Sequence, residues 1–405
     1  MLTTLIYQSK CTRPESKVVD DDFLRSVRDN NNEFKISGII LCNGIDFFQI
    51  IEGPEFTVDT LFRKIRRDPR HTEVVELMRD YSSDRFFDNF GIEFYDLNLY
   101  KASFGHDMHD IVERLWVKIS RSERVSSFVR AFILKGRSNA LHPDLDPSIW
   151  VMKSDSSRQD ILQLKLTSAH EYTFAMQPIV EPLKNRVVSF ETLIRGKEGG
   201  SPAELFSTIP EGDIYQFDLK SKLFALRLAS QILRDRETVS INLLPGSLTT
   251  SPHSVNRLIN FIEACDLQPH QVTIEIIENE LILNMDSFHH ILKDIRASGL
   301  GLAIDDFGSG YSRLTLLSRI QPDVIKLDRD VIQDIHLSGA KQAMVASLIK
   351  YSSDMGISLV AEGVEKIEEW CWLQSAGITL YQGYLFSRPC ISGVGTISWP
   401  DKKYL

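Results

Sequence analysis

The sequence predicts a chain of two folded parts: a small ferredoxin-like α+β unit followed by a (β/α)8 TIM-like barrel. Three observations predict it. The N-terminal stretch gives strands and helices in the order βαββαβ. From Ile149 onward, short apolar runs alternate repeatedly with helix-length segments, the pattern of a barrel of about 250 residues. Between the two, LHPDLDP at Leu141–Pro147 puts prolines and aspartates close together and reads as a linker. A chain of 405 residues also exceeds one ordinary domain. The resulting boundaries are 1–97, a helical connector over 98–148, and 149–405.

Composition narrows the function classes. The formal net charge is −9, which argues against a binder of nucleic-acid polymers or of membrane surfaces, since those carry basic patches. No apolar run is long enough to span a bilayer. The start, MLTTLIYQSK, lacks the basic and apolar regions of a signal peptide. Cys11, Cys42, Cys265, Cys371 and Cys390 are odd in number and follow no ligand spacing, so they read as free thiols. A cytoplasmic location is the expectation.

In the first part, Leu2–Tyr7 reads as a strand and Val18–Asn30 as a helix with Val18, Val19, Phe23, Leu24 and Val27 on one face. Ile36–Leu41 and Phe47–Ile51 are apolar strands joined through Asn43-Gly44, a strong hairpin signal. A helix over Phe56–Arg67 follows, then strands at Val74–Met78 and Gly91–Leu97. Gln49 stands out, because an amide inside the apolar run Phe47–Ile51 must find partners. Either it bonds a neighbouring loop carbonyl or it contacts a bound ligand. A tyrosine in the position of Tyr7 on the first strand is more often a core residue than a site residue. The Asn30-Asn31-Asn32 run could also end a helix.

Tyr7, the Asn30-Asn31 pair, SGIILCNGIDFFQIIEGP with its Gln49, and DPRHTEV at Asp68–Val74 together resemble the BLUF family of blue-light sensors. The resemblance implies bound FAD, its ring held between the two helices. It makes Tyr7 and Gln49 the light-reactive pair, with Asn30 and Asn31 bonding the polar edge of the ring. Arg70, with Asp68 and His71 nearby, falls on the ribityl-phosphate side, where a guanidinium suits phosphate. Phe90 and Ile92 align where many members carry Trp and Met. The connector carries a helical pattern over Met108–Leu134, which fits the helix pair that usually follows the family's sheet, capping it, transmitting its signal, or both.

In the second part the predicted strands are Phe174–Val180, Val187–Ile194, Val239–Leu244, Val272–Ile277, Gly301–Ile304, Val324–Leu327, Ser358–Ala361 and Gly383–Phe386. A doubly wound open sheet is the alternative. In a barrel the chemistry gathers at the C-terminal ends of many strands. Here nearly every strand delivers a polar group there: Glu191, Asn242, Glu275, Glu278, Asp305, Asp306, Lys326, Asp328, Glu362 and Gln382. Any one of these could be a helix cap or a plain salt bridge. Two adjacent buried carboxylates, Asp305 and Asp306, are tolerated when protonated, hydrogen-bonded or bound to a cation. Carboxylates and an amide without Cys or His suit Mg²⁺ or Mn²⁺.

The pieces ETLIR (Glu191–Arg195), SINLLP around Asn242, IEIIEN (Ile274–Asn279), DDFGSGYS (Asp305–Ser312), IKLD (Ile325–Asp328), AEGVE (Ala361–Glu365) and QGYLFSRP (Gln382–Pro389) resemble the EAL family of cyclic-di-GMP phosphodiesterases. Thr192 stands at the middle position of that signature, Ile277 where Thr is common and Asn279 where Ser is common. The resemblance implies two-metal hydrolysis of cyclic-di-GMP to linear pGpG. Glu191, Asn242, Glu275 and Asp305 hold one cation; Asp305, Asp306 and Glu362 hold the second. Glu362 orients or deprotonates the water, Lys326 stabilises developing charge, and Asp328 orients Lys326. Leu193, Arg195 and Gln382 meet the substrate, and Glu278 anchors the substrate-side loop Asp305–Ser312. Barrels of this family commonly pair near that loop, so a homodimer through the EAL domain is expected. The alternatives are a light-switched binding or interaction module without hydrolysis, and a metal-dependent phosphodiesterase of different substrate.

Overall fold

A computed structural model describes residues 2–12, 25, 27, 31–44, 46–82, 85, 87, 91–97, 123–135, 145–161, 172–196, 199–234, 236–249, 251, 253–309 and 314–403. The chain forms two compact units, Met1–Gly136 and Arg137–Leu405.

The first unit is built on β1 (Leu2–Cys11), β2 (Ser37–Cys42), β3 (Asp46–Pro54), β4 (His71–Ser82) and β5 (Gly91–Asp96). Their order in the sheet is β4-β1-β3-β2-β5. The first four places are the ferredoxin-like arrangement, and β5 adds a strand parallel to β2. The β2–β3 hairpin forms at the Asn-Gly signal: Asn43 Oδ1 accepts from Asp46 N at 2.8 Å, and Gly44 takes φ 93°. The helix Glu55–Ile65 buries Val58 and Phe62 against Leu5, Tyr7, Ile36 and Ile51. Most of the helix predicted over Val18–Asn30 lies outside the described residues, as does most of the predicted connector. Its described part, the helix Glu123–Lys135, packs within the first unit: Phe132 stacks on Phe48 with centroids 5.0 Å apart, and Arg124 lies 3.5 Å from Asp80.

In the second unit, β6 (Trp150–Asp155) and β7 (Asp160–Ile161) precede the barrel. The barrel strands are β8 (Tyr172–Glu181), β9 (Arg186–Gly196), β10 (Thr238–Asn242), β11 (Val272–Ile277), β12 (Gly301–Phe307), β13 (Val324–Leu327), β14 (Ser358–Ala361) and β15 (Leu380–Tyr381). They pair in sequence order, and β15 closes on β8. This is a barrel and not an open sheet. It departs from a uniform (β/α)8 form in one respect: β8 runs antiparallel to both neighbours. The cause is the connection between β8 and β9. Only Pro182–Asn185 lies between them, far too short for the helical crossover that parallel strands need. The remaining strands run parallel and are joined through helices, and their apolar residues, among them Ile241, Ile274, Leu302, Ile304 and Ile325, are fully buried. After the barrel, β16 (Cys390–Ile391) pairs with β8, β17 (Gly393–Val394) with β7, and β18 (Ile397–Lys402) with β6.

The last barrel strand also differs from expectation. Gly383–Phe386 is a turn, and the strand lies just ahead at Leu380–Tyr381. A Cβ on Gly383 would sit 2.1 Å from the Val364 carbonyl oxygen, so only glycine lets the two chains approach this closely. Gln382 therefore follows its strand instead of opening it.

Candidate functional site

The strand ends of the barrel converge on Lys326. Its ammonium is fully buried and lies 2.6 Å from Glu362 Oε1, 2.9 Å from Glu191 Oε2, 3.0 Å from Glu275 Oε2 and 3.2 Å from Asp305 Oδ1. Glu191 comes from β9, Glu275 from β11, Asp305 from β12 and Glu362 follows β14. Asn242 ends β10 and its Nδ2 donates to Glu191 Oε1 at 2.7 Å. Gln382 Nε2 donates to Glu191 Oε2 at 2.7 Å. Thr192 faces away from this group and donates its hydroxyl to Ser240 O at 3.0 Å, so its polar group is satisfied within the barrel wall.

Asp305 and Asp306 share the rim through a backbone irregularity. Successive strand residues normally point to opposite faces. In the β12–β13 ladder Ile304 pairs with Ile325 and Phe307 with Leu327, so Asp305 and Asp306 together face Lys326 alone. Such a bulge re-aims a side chain, and Asp306 takes φ 53° to make it. Left-handed φ is tolerated by Asp better than by most residues.

The electrostatics follow from this crowding. Burial, only partly offset by the Lys326 charge, holds Glu275, Asp305 and Glu362 above the usual carboxylate range. Burial and the Asp305 and Asp328 charges raise Asp306 to about 6. Glu191 alone is held low: burial pushes it up, but Lys326, Gln382 and Asn242 outweigh that. Burial opposes the charge on Lys326 too, yet the surrounding carboxylates keep it firmly protonated. Glu191, Glu275 and Asp305 each offer an oxygen within 4.8 Å of the others, and so do Asp305, Asp306 and Glu362. Apart from the Lys326 ammonium at 3.2 Å, the buried Asp305 Oδ1 has no hydrogen-bond partner among the described residues. An all-oxygen donor set, an excess of carboxylate over ammonium and a shared Asp305 fit two hard divalent cations.

The other expected residues fall as follows. Leu193 and Arg195 share the Glu191 face of β9 by the strand's two-residue period, and Arg195 Nη1 donates to Ile194 O at 2.8 Å. Glu278 is buried at the start of the helix Glu278–Ala297, and its Oε2 accepts from Gly308 N at 3.3 Å in the loop after Asp306. Asp328 is not among the close partners of Lys326. Its carboxylate caps the short helix Arg329–Ile332 by accepting from Asp330 N at 2.7 Å, and the ammonium is oriented by the four carboxylates instead. One residue escaped the sequence reading. Gln177 of β8 is buried, accepts from Gln382 Nε2 at 3.1 Å and donates to Ser387 O at 3.1 Å, fixing the Gln382 amide. Its signal was that of Gln49, an amide inside an apolar strand.

In the first unit Tyr7 and Gln49 sit directly opposite each other on β1 and β3. The Tyr7 hydroxyl donates to Gln49 Oε1. Tyr7 is fully buried, which together with the Asp68 charge raises its pKa and keeps the phenol protonated. Asn31 is buried and its Nδ2 has no hydrogen-bond partner among the described residues. Asn30 and Phe90 lie outside the described residues, while Ile92 is buried in β5. Arg70 binds Asp68 through Nε at 2.9 Å and 3.1 Å, and this pairing draws Asp68 down to about 2. His71 Nδ1 lies 2.8 Å from Ser9 Oγ, and burial lowers its pKa. A buried phenol–amide pair, and in the same unit a buried amide donor with no partner among the described residues, fit a heteroaromatic ligand with polar edges.

Comparison with known proteins finds two families along the chain. The EAL domain family matches residues 159–389, and the family described as sensors of blue-light using FAD, BLUF, matches residues 2–93. The chain belongs to the EAL family and carries a BLUF domain ahead of it. The blue light- and temperature-regulated antirepressor BluF of Escherichia coli K12 is 36% identical over 409 residues, covering the whole of both chains. The manganese/cy-diGMP complex of Klebsiella pneumoniae BlrP1 is 46% identical, covers both chains fully and superposes with a TM-score of 0.62. The cyclic di-GMP phosphodiesterase RocR of Pseudomonas aeruginosa is 32% identical over 275 residues, 65% of this chain and 68% of RocR. The BLUF domain is a flavin-binding light sensor, and no helix among the described residues is long and apolar enough to cross a membrane.

Proposed function

We propose that the protein is a blue-light-regulated phosphodiesterase that opens cyclic-di-GMP to linear pGpG, with FAD in the BLUF domain and two Mg²⁺ or Mn²⁺ ions in the barrel. The observation that carries the reading is the complete ring of Glu191, Asn242, Glu275, Asp305, Asp306 and Glu362 around Lys326. The ions, held by Glu191, Asn242, Glu275 and Asp305 on one side and by Asp305, Asp306 and Glu362 on the other, would supply an activated water and a clamp on the phosphate. Lys326 supplies positive charge where the phosphorane-like transition state gathers negative charge. Glu362, in contact with Lys326, is placed to orient the water and receive its proton. Gln382 Oε1, buried without a hydrogen-bond partner among the described residues, suits a donor on the substrate, with Arg195 for phosphate and Leu193 beneath a base. Asn30 and Asn31 bond the polar edge of the flavin, Tyr7 and Gln49 are its light-reactive pair, and Arg70, Asp68 and His71 lie on its phosphate side.

A second reading has an observation of its own: BluF, related over its full length, is named an antirepressor. On that reading the barrel is a light-switched interaction module. The intact ligand set favours hydrolysis. We place the protein in the cytoplasm as a homodimer through the barrel, with light acting on the loop that follows Asp306. The deciding experiment incubates purified, flavin-loaded protein with cyclic-di-GMP and Mn²⁺ and separates the products. Linear pGpG, lost in Glu191→Ala, supports the reading; bound but intact cyclic-di-GMP supports the second.

A further inference from the structure

Outside the rim, the helix Ile214–Ile232 carries a buried ion pair that none of the proposed chemistry uses. Lys222 Nζ donates to Asp218 Oδ1 at 2.6 Å, and both side chains are 3% exposed. The second carboxylate oxygen of Asp218 leaves the helix. It accepts from Leu244 N at 3.0 Å and from Ser247 Oγ at 2.6 Å, in the segment that follows Asn242. On the barrel side, Leu243 N donates to Glu275 O at 2.9 Å. The chain leaving Asn242 is therefore held between a neighbouring strand and this outer helix. The same helix meets the segment a second time: a Cβ on Gly246 would lie 2.2 Å from the Tyr215 ring. Backbone and ring lie close there, and a side chain at position 246 would have to displace the Tyr215 ring.

A buried ion pair is poor evidence for stability, because desolvation offsets much of the attraction and an apolar pair of similar size often serves as well. What an apolar pair cannot do is accept hydrogen bonds from a backbone N–H and a hydroxyl. We infer that Asp218 is a positioning residue for the metal site: it fixes the backbone after Asn242, and so the orientation of the amide whose Nδ2 is committed to Glu191 and whose Oδ1 is left for a cation. Lys222 neutralises the carboxylate so that it can remain buried. The inference rests on the proposed cation sites, not on the identity of the substrate.

The test uses two double variants of the full-length protein that both remove the buried charges in equal number. Asp218→Asn with Lys222→Met keeps an acceptor oxygen for Leu244 N. Asp218→Leu with Lys222→Met removes it. Mn²⁺ affinity is measured by titration without substrate, with thermal unfolding alongside. Ligand-orienting partners typically contribute about 10-fold or more to metal affinity. The expected result is Mn²⁺ binding weakened about 10-fold in the leucine pair and by no more than about 2-fold in the asparagine pair, with similar unfolding temperatures. If the leucine pair does not fold, Ser247→Ala, which deletes one of the two bonds without touching the helix, should weaken binding by about 3-fold. Equal affinities in all variants, or losses that follow unfolding temperature and not the acceptor, overturn the inference. So does a wild type that binds no Mn²⁺. A wild type that binds Mn²⁺ yet leaves cyclic-di-GMP intact defeats the proposed reaction alone, and the comparison of variants still decides the role of Asp218.

Discussion

Asp306 and Lys326 concentrate what the site requires of single residues. Lys326 is one ammonium among carboxylates that burial has made reluctant to ionise. Lys326→Met removes that charge and is expected to lower kcat about 10²–10³-fold, the range for losing one preorganised group that stabilises transition-state charge. A kcat within about 2-fold of wild type would place the lysine outside the chemistry. Asp306 gives a pH prediction. Its folded pKa of about 6 lies above the ordinary aspartate value of 3.8, raised by burial first and then by Asp305 and Asp328. A raised pKa means that the folded protein binds this proton more tightly than the unfolded chain does. Its contribution to metal-free stability is thus complete below about pH 4 and lost as pH rises through about 6. A divalent cation replaces the proton, so the rise in unfolding temperature on adding Mn²⁺ should be larger at pH 8 than at pH 5.5. A rise that is the same at both pH values would show that these carboxylates do not hold the ion.

At the scale of elements, the sequence was most legible where a turn or a strand end forces a residue type. The Asn43-Gly44 hairpin, the parallel strands β10–β14 and the polar residues at their ends could be read from apolar runs and their interruptions. Strand direction was less visible. β8 and β9 look like any buried strands, and only the brevity of Pro182–Asn185 tells that they must run antiparallel. The final strand lies at Leu380–Tyr381, ahead of the apolar run Gly383–Phe386, which is a turn in which Gly383 closely approaches Val364. The bulge at Asp305-Asp306 could not be read at all, since it shows only as a slip in pairing with β13. Among site residues, Gln177 was hidden inside an apolar strand, and the role expected of Asp328 went to the carboxylates around Lys326. In the first unit the cross-strand pair of Tyr7 and Gln49 makes its own prediction. Tyr7→Phe fills the same buried volume but cannot donate to Gln49, so flavin should still bind and its absorption should no longer shift under blue light. A wild-type shift in Tyr7→Phe would remove the phenol from the light reaction.

Across the whole molecule, two units with separate cores carry two separate kinds of site, a buried phenol–amide pair and a ring of carboxylates. The proposed link is the loop after Asp306, anchored at Gly308 by the buried Glu278. Because Asp305 and Asp306 lie on the strand that leads into that loop, the proposal is that a change in the loop would alter the spacing of both proposed ions. The measurement that tests this most directly is the rate of pGpG formation from cyclic-di-GMP by the full-length, flavin-loaded protein, in blue light and in darkness, over a series of Mn²⁺ concentrations. The account predicts turnover that requires the metal and is faster in the light. No turnover at saturating Mn²⁺, or equal rates lit and dark at every concentration, would contradict it.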